Sequence, residues 1–337
     1  MPAITLRGFV LLLATTSILG VAAMVALPHD KFLRYQALSD GTAPTAYWIY
    51  QRIHDDATPI DVAFIGTSRT GMALHSRRLE DELQQRGVTA KAVNLYIVKT
   101  GINLQYVVAK ELLEARTVKL LVLEMDERED RKPHPDFIYL ADTADVLAAP
   151  LLANLNYLAD IARLPGRQAD LFIQTRLQGS GLQAPGAFPP RYEGPNLDHG
   201  QFITTLDGTR HDRRVVNTQA QMATLLAADE ARITPPLLPP SMADIEFRLP
   251  RYYTARILDL AKAHGVRVAF LYTPRFGGPQ WPQPYRQYAV RAELINPWER
   301  LQDYRLWSDV SHVNWDGAQR LTDYVAEALA NHAELRH

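Results

Sequence analysis

Asp61-Val-Ala-Phe-Ile-Gly-Thr-Ser-Arg69 is the stretch on which the fold turns. Val62 to Ile65 form a short apolar run suited to a strand buried on both faces. Gly66 ends the run, and Ser68 opens a segment that reads as helix down to Gly87, with Leu79 and Leu83 on one face. A strand-to-helix turn of this kind lies at the carboxyl edge of a sheet, facing the first free amides of a helix, where α/β folds place their chemistry. The plainer reading is that Gly66 to Ser68 only cap the helix, since serine is a favoured cap residue.

Outward from that stretch, strand and helix patterns alternate. Lys91 to Tyr96, Val118 to Met125 and Val266 to Tyr272 read as three further strands. A helix with Leu104, Val108 and Leu112 on one face separates the first two. Another, carrying Tyr253, Ile257 and Leu260 and stopping at Gly265, leads into the last. This alternation predicts a parallel sheet with helices on both faces. Residues 127–250 interrupt it. Their first half, Val146 to Leu177, looks helical with a break at Pro165 and Gly166. Their second half holds Gly- and Pro-rich sequence at Gly179 to Pro195 and Pro235 to Pro240, which excludes regular helix or strand there. An insertion of this size can build the substrate side of a cleft, or be a decorative loop.

The 337 residues balance 36 basic against 37 acidic side chains, so nothing marks a nucleic-acid surface. Cysteine is absent, which excludes a disulfide framework, a thiolate metal site and a cysteine nucleophile. Gly8 to Leu27 is an almost unbroken apolar run, long enough to cross a bilayer. Residues 1–30 therefore read as a membrane anchor, with a cleavable signal sequence as the alternative. Either can send residues 58–337 across the membrane. Residues 31–57 read as a partly helical connector broken near Gly41 and Pro44, with aromatics suited to a membrane interface or to packing on the domain.

Near the far end, Asp309-Val-Ser-His312 precedes Val-Asn-Trp-Asp-Gly317 and an amphipathic helix carrying Ala318, Leu321, Val325, Ala328 and Leu329. An Asp three residues before a His can orient the imidazole and leave its other nitrogen free to take a proton from a serine. Ser68, His312 and Asp309 are thus the candidate nucleophile, base and orienting carboxylate. The alternative is that Asp309 and His312 merely cap the last helix. The Ser68 amide is a natural oxyanion donor. Arg69 and Arg275 could bind a carboxylate or sugar hydroxyl, and Asp126 could line the cleft; each also reads as an ordinary surface or ion-paired group. His199 and His211, beside Asp198 and Asp212, do not match a metal-site spacing. No metal or cofactor is expected.

Together, Ile-Gly-Thr-Ser-Arg69 and Trp307-Ser-Asp-Val-Ser-His-Val-Asn-Trp-Asp-Gly317 resemble the SGNH/GDSL hydrolase superfamily, whose first block carries the serine and whose last is Asp-x-x-His. More narrowly they look like the membrane-anchored SGNH-like proteins of envelope polysaccharide acylation, of the alginate O-acetylation and D-alanine transfer kinds. The resemblance implies a flavodoxin-like three-layer α/β fold behind an amino-terminal transmembrane helix. It implies serine-dependent acyl or acetyl transfer, or ester hydrolysis, on an envelope polysaccharide. The domain would lie outside the cytoplasm on a single-pass inner-membrane anchor, beside a membrane-bound O-acyltransferase. Gly101 matches the second-block glycine of the oxyanion hole. The third-block Asn is missing, since Glu124-Met-Asp-Glu127 stands there, and Asn103 is the substitute donor within reach in sequence. That departure motivates a second reading, a non-catalytic carbohydrate-binding or scaffolding subunit.

Overall fold

Buried apolar residues alternate along each central strand and so commit one face of the sheet to each of two cores. In the computed structural model, which describes residues 5–39, 45–177, 201–204, 210–232, 234 and 236–336, the chain opens with three helices: α1 (Leu6–Val25), α2 (Phe32–Ser39) and α3 (Thr45–His54). Then follow β1 (Val62–Ile65), α4 (Ser68–Ala73), α5 (Ser76–Gln85), β2 (Ala92–Asn94), α6 (Ile102–Ala115) and β3 (Leu120–Met125). The insertion contributes α7 (Phe137–Leu140), α8 (Thr143–Leu147), α9 (Tyr157–Leu177), a hairpin of β4 (Phe202–Thr204) and β5 (Arg210–Asp212), α10 (Gln219–Glu230) and α11 (Ala243–Glu246). The chain closes through α12 (Arg248–Ala263), β6 (Arg267–Tyr272), β7 (Glu293–Ile295) and α13 (Trp315–Leu329).

The main sheet is all parallel in the order β2-β1-β3-β6-β7, the flavodoxin-like doubly wound order. Ala63, Ile65, Val93, Leu121, Leu123 and Phe270 face one core with α3, α6 and α12; Val62, Phe64, Ala92, Leu120, Val122 and Leu271 face the other with α5 and α13. Three layers result, as expected. The strand order reverses between β1 and β3, so the turn after β1 lies where such folds bind ligands.

Four details depart from the sequence reading. The helix expected from Ser68 to Gly87 is two helices. Thr322 of α13 enters the break, donating to the Ala73 carbonyl and accepting from the His75 amide at 3.2 Å, while Asn94 Nδ2 reaches the Thr70 carbonyl at 3.0 Å. Gly87 then takes the left-handed φ of +79° expected just past a helix end. Secondly, α9 runs unbroken through Pro165, against the expected break. A helix-interior proline costs about 3 kcal/mol. Tertiary bonds just after that turn hold the helix: Gln168 to Val25 O and Thr143 Oγ1, and Arg167 to the Ile138 and Ala141 carbonyls. Thirdly, α2 and α3 do more than connect: packing on the domain, one of the two placements open to this segment, buries Tyr35, Leu38, Trp48, Ile49 and Ile53 in the core beneath α6. Fourthly, the sheet has a further edge strand, β7, whose apolar run is only Leu294 and Ile295, too short to carry a strand pattern.

Gly179 to Pro195, Gly41 and Pro44, Asp198 and His199 lie outside the described residues. α1 is long and apolar enough to span a membrane, and none of it is buried in the fold.

Candidate active site

The turn after β1 is tied down by Glu124, to which the sequence pattern assigns no role beyond standing where the third-block Asn is missing. Glu124, buried near the end of the neighbouring β3, accepts from the Thr67 amide at 2.9 Å, Thr67 Oγ1 at 2.6 Å, the Thr70 amide at 2.9 Å and Thr70 Oγ1. A carboxylate within the first turn of a helix satisfies orphan amides and favours the positive end of the peptide dipoles. Gly66 is what lets it approach: a Cβ there would sit 2.6 Å from Glu124 Oε2 and 2.4 Å from Thr70 Oγ1. The signal was present in the sequence as a lone acid within an otherwise apolar strand, Leu120 to Met125.

Thr67, not Ser68, is therefore the cap residue of α4, its side chain accepting from the Arg69 amide at 3.2 Å. The plain capping account of Ser68 falls away, and its hydroxyl is free for another partner. These bonds engage the amides of Thr67, Arg69 and Thr70 and do not include that of Ser68.

That other partner is His312. Ser68 Oγ lies 2.9 Å from His312 Nε2, and His312 Nδ1 lies 2.9 Å and 3.1 Å from the two Asp309 carboxylate oxygens. Asp309 also accepts from the Ser311 amide at 2.7 Å and the His312 amide at 2.9 Å, so it is fixed to its own loop. Burial works against its charge, but the imidazole and those amides hold its carboxyl below the usual range. The cap of α13 is Asn314, which accepts from the Gly317 amide at 3.1 Å. Asp309 and His312 are thus released from the capping role that was their alternative reading. The His312 and Asp309 side chains stay 27% and 48% exposed, leaving the trio open to solvent.

The loop that presents His312 is a narrow hairpin bracing itself at both ends. Trp307 and Val313 form an antiparallel bridge, and the Ser308 amide and hydroxyl both donate to the His312 carbonyl at 3.0 Å. Asn314 Nδ2 donates to the Arg305 carbonyl at 2.7 Å, and Gly317 admits the Leu306 carbonyl to 2.2 Å of where a Cβ would be. The insertion clasps this loop from outside. Asn217 Nδ2 donates to the Ser308 carbonyl at 2.6 Å, Asn314 Nδ2 to the Val215 carbonyl at 3.1 Å, and the Trp315 amide to the Arg213 carbonyl at 2.8 Å. None of these supports was foreseen, because they join segments about 90 residues or more apart.

The expected substrate-binding residues are engaged with one another. Arg69 contacts Asp126 at 3.2 Å, Glu127 at 2.7 Å and the Thr273 carbonyl at 3.0 Å. Arg275 pairs with Asp229 at 2.5 Å and approaches Glu127 at 3.7 Å. Burial opposes the charge of Glu127, yet the Arg69 guanidinium outweighs it and holds that carboxyl below its ordinary value. Asp126 goes the other way: burial raises it more than Arg69 lowers it, with Glu124 and Glu127 adding repulsion. Both arginines are thus ion-paired, the ordinary reading offered for them beside substrate binding, and they tie the end of β3 to the turns after β1 and β6.

Gly101, at φ +140°, starts α6 and is closed against His134, whose Cβ a side chain there would meet at 2.4 Å. Asn103 is buried in the first turn of α6 and accepts from the His134 amide at 2.8 Å. Both hold the segment after β3, and no hydrogen bond joins either to Ser68. A recess of about 80 Å³ between Thr67, Gly101, Glu124 and Asp126 puts Gly101 and the Thr67 turn on one wall. A separate concavity of about 860 Å³ opens at the opposite edge of the sheet, beside Arg267, Glu293 and His332. Among the described residues no cluster of three or more His, Asp or Glu side chains is arranged to hold a metal. No family model matches the chain, and no curated protein matches it.

Proposed function

We propose that Ser68 is an acyl-accepting nucleophile, activated by His312 and oriented through Asp309, and that the protein transfers or hydrolyses ester-linked acyl groups of the SGNH type. The observation that carries this reading is the continuous Ser68–His312–Asp309 hydrogen-bond chain, at 2.9 Å for each link, built from opposite ends of the sequence. A serine hydroxyl is a weak nucleophile until a base takes its proton. His312 Nε2 receives that proton as Oγ attacks the acyl carbonyl. The Ser68 amide, uncommitted at the first turn of α4, faces the developing oxyanion. The imidazolium returns the proton to the departing alkoxide, leaving an acyl-serine. Water or a sugar hydroxyl, deprotonated in turn by His312, then releases the acyl group as acid or as new ester.

The solvent-open trio suits an acyl group carried on a bulky molecule, and the family resemblance supplies the substrate class, an envelope polysaccharide. On this reading α1 is a single-pass inner-membrane anchor, the domain is periplasmic, and a membrane-bound O-acyltransferase delivers the acyl group. Hydrolysis of p-nitrophenyl acetate tests the chemistry directly. Ser68→Ala should lower turnover about 10³-fold or more while the thermal transition stays in place. Unchanged turnover removes Ser68 from the mechanism. Undetectable esterase activity in the parent chain, with polysaccharide binding that survives Ser68→Ala, favours the scaffolding alternative.

A further inference from the structure

Between Asp145 and Asp160 the chain has no charged residue, and five leucines in that stretch point outward. Leu147, Leu151, Leu152, Leu155 and Leu158 are 51%, 59%, 58%, 77% and 73% exposed. Contiguous exposed leucine on this scale marks a contact surface. The backbone that displays them is fastened. Asp145, just before it, is bonded to Lys110 at 2.7 Å and Tyr106 at 3.1 Å; the Ala148 carbonyl accepts from Tyr252, the Leu147 carbonyl accepts from Tyr157, and Asn154 is buried.

Placement says what the surface meets. α9 packs beside α1, Gln168 donating to the Val25 carbonyl at 3.1 Å and Thr175 Oγ1 accepting from the Asp30 amide at 3.0 Å. Travelling from Thr175 to Gln168 along α9 therefore follows the chain from Asp30 back to Val25, toward α1. Tyr157 lies a further 11 residues on, about 16 Å at helical rise, and the leucine loop turns around that end. The loop thus projects to the side from which the apolar, unburied α1 emerges.

We propose that residues 147–158 form a second membrane footing, a leucine loop that dips into the lipid interface beside α1. The occupant is lipid because the loop lies toward the side from which the apolar α1 emerges, is uncharged, and carries tyrosine and asparagine at its base, as interfacial segments do. Two footings hold the domain at one tilt over the bilayer, where α1 alone would let it swivel. This goes beyond the acyl-transfer reading and does not depend on Ser68.

The absence of cysteine makes the test direct. Leu152→Cys, Leu155→Cys and, as a control at a 96%-exposed site, Val290→Cys are labelled with the environment-sensitive fluorophore NBD in the full chain, reconstituted into phosphatidylcholine–phosphatidylglycerol vesicles. At 152 and 155 the emission should shift to the blue, be quenched by doxyl-labelled lipid, and be about threefold or more less quenchable by aqueous iodide than at 290. Water-like emission at 152 and 155 in vesicles that still carry the chain overturns the leucine footing alone. A blue shift without quenching by doxyl lipid means another protein, or a second copy, covers the loop, and also overturns it. Failure of the chain to float with vesicles overturns the footing and the anchor together.

Discussion

Asp309 and Glu124 show how differently two carboxylates serve one serine. Asp309 sits on the open side within 2.9 Å of His312 Nδ1, and on the acyl-transfer proposal it holds the proton on that nitrogen while Nε2 faces Ser68. Asp309→Asn preserves the shape but favours the wrong tautomer; steady-state kinetics should show kcat down by about 10³- to 10⁴-fold with little change in melting temperature. Glu124 does not touch His312. It acts by satisfying four donors of the Thr67–Thr70 turn. Glu124→Ala strands two buried amides, and denaturant unfolding should reveal a loss of about 2–4 kcal/mol. A milder variant separates positioning from stability: Glu124→Gln should keep most of the fold but lower kcat with KM nearly constant, because the serine loses its fixed placement. Unaltered kcat in a folded Glu124→Gln chain would show that the turn holds itself.

At the scale of elements, the strand–turn–helix from β1 to α4 and the hairpin before α13 are each built around a glycine that admits an oxygen. Gly66 admits the Glu124 carboxylate; Gly317 admits the Leu306 carbonyl. Gly66→Ala forces Thr70 and Glu124 apart, so the first turn of α4 loses its anchor and activity should fall together with stability. Circular dichroism melts alongside esterase assays check that both decline. By contrast Gly166, in the middle of α9, has nothing within 4 Å of a new Cβ. Gly166→Ala should raise stability by about 0.5–1 kcal/mol, since alanine loses less backbone entropy in a helix, and a rise in denaturant midpoint is the readout.

At the scale of the whole molecule, partly buried charge joins the first part of the insertion to α2 and α6. Arg34, 4% exposed, donates to the Leu140 carbonyl and to Asp142 at 2.8 Å, and Lys110 joins Asp142 at 2.9 Å and Asp145 at 2.7 Å. Burial would raise the Asp142 carboxyl, but Lys110 and Arg34 outweigh it and hold it well below the ordinary range. A carboxylate with a depressed folded pKa binds fewer protons folded than unfolded. Its stabilising contribution is therefore complete above the unfolded carboxyl pKa near 4 and disappears as the pH falls below that. Asp142 is about one-third exposed, so solvent screening leaves a contribution of about 1–2 kcal/mol. Asp142→Asn should lose that much at neutral pH, and its stability should fall less steeply than the parent's below about pH 4 in urea titrations.

The alternation of strand and helix, the parallel sheet, the apolar α1 and the pairing of Asp309 with His312 three residues on were all legible along the chain. Each rests on local periodicity or on spacing within a turn, which sequence carries directly. Where α4 stops, why α9 survives Pro165, and how deeply Tyr35, Trp48 and Ile49 are packed were not legible. Those outcomes depend on Thr322, on the partners of Arg167 and Gln168, and on the underside of α6, all of them 25 or more residues away along the chain. The same is true of the site. Ser68, His312 and Asp309 could be named from two short blocks, but the freedom of Ser68 Oγ came from Thr67 taking the cap. The engagement of Arg69 and Arg275 came from Glu127 standing between them. Local pattern determined which groups could do chemistry; only the folded arrangement, by assigning each buried donor its acceptor, decided which of them were left free to do it.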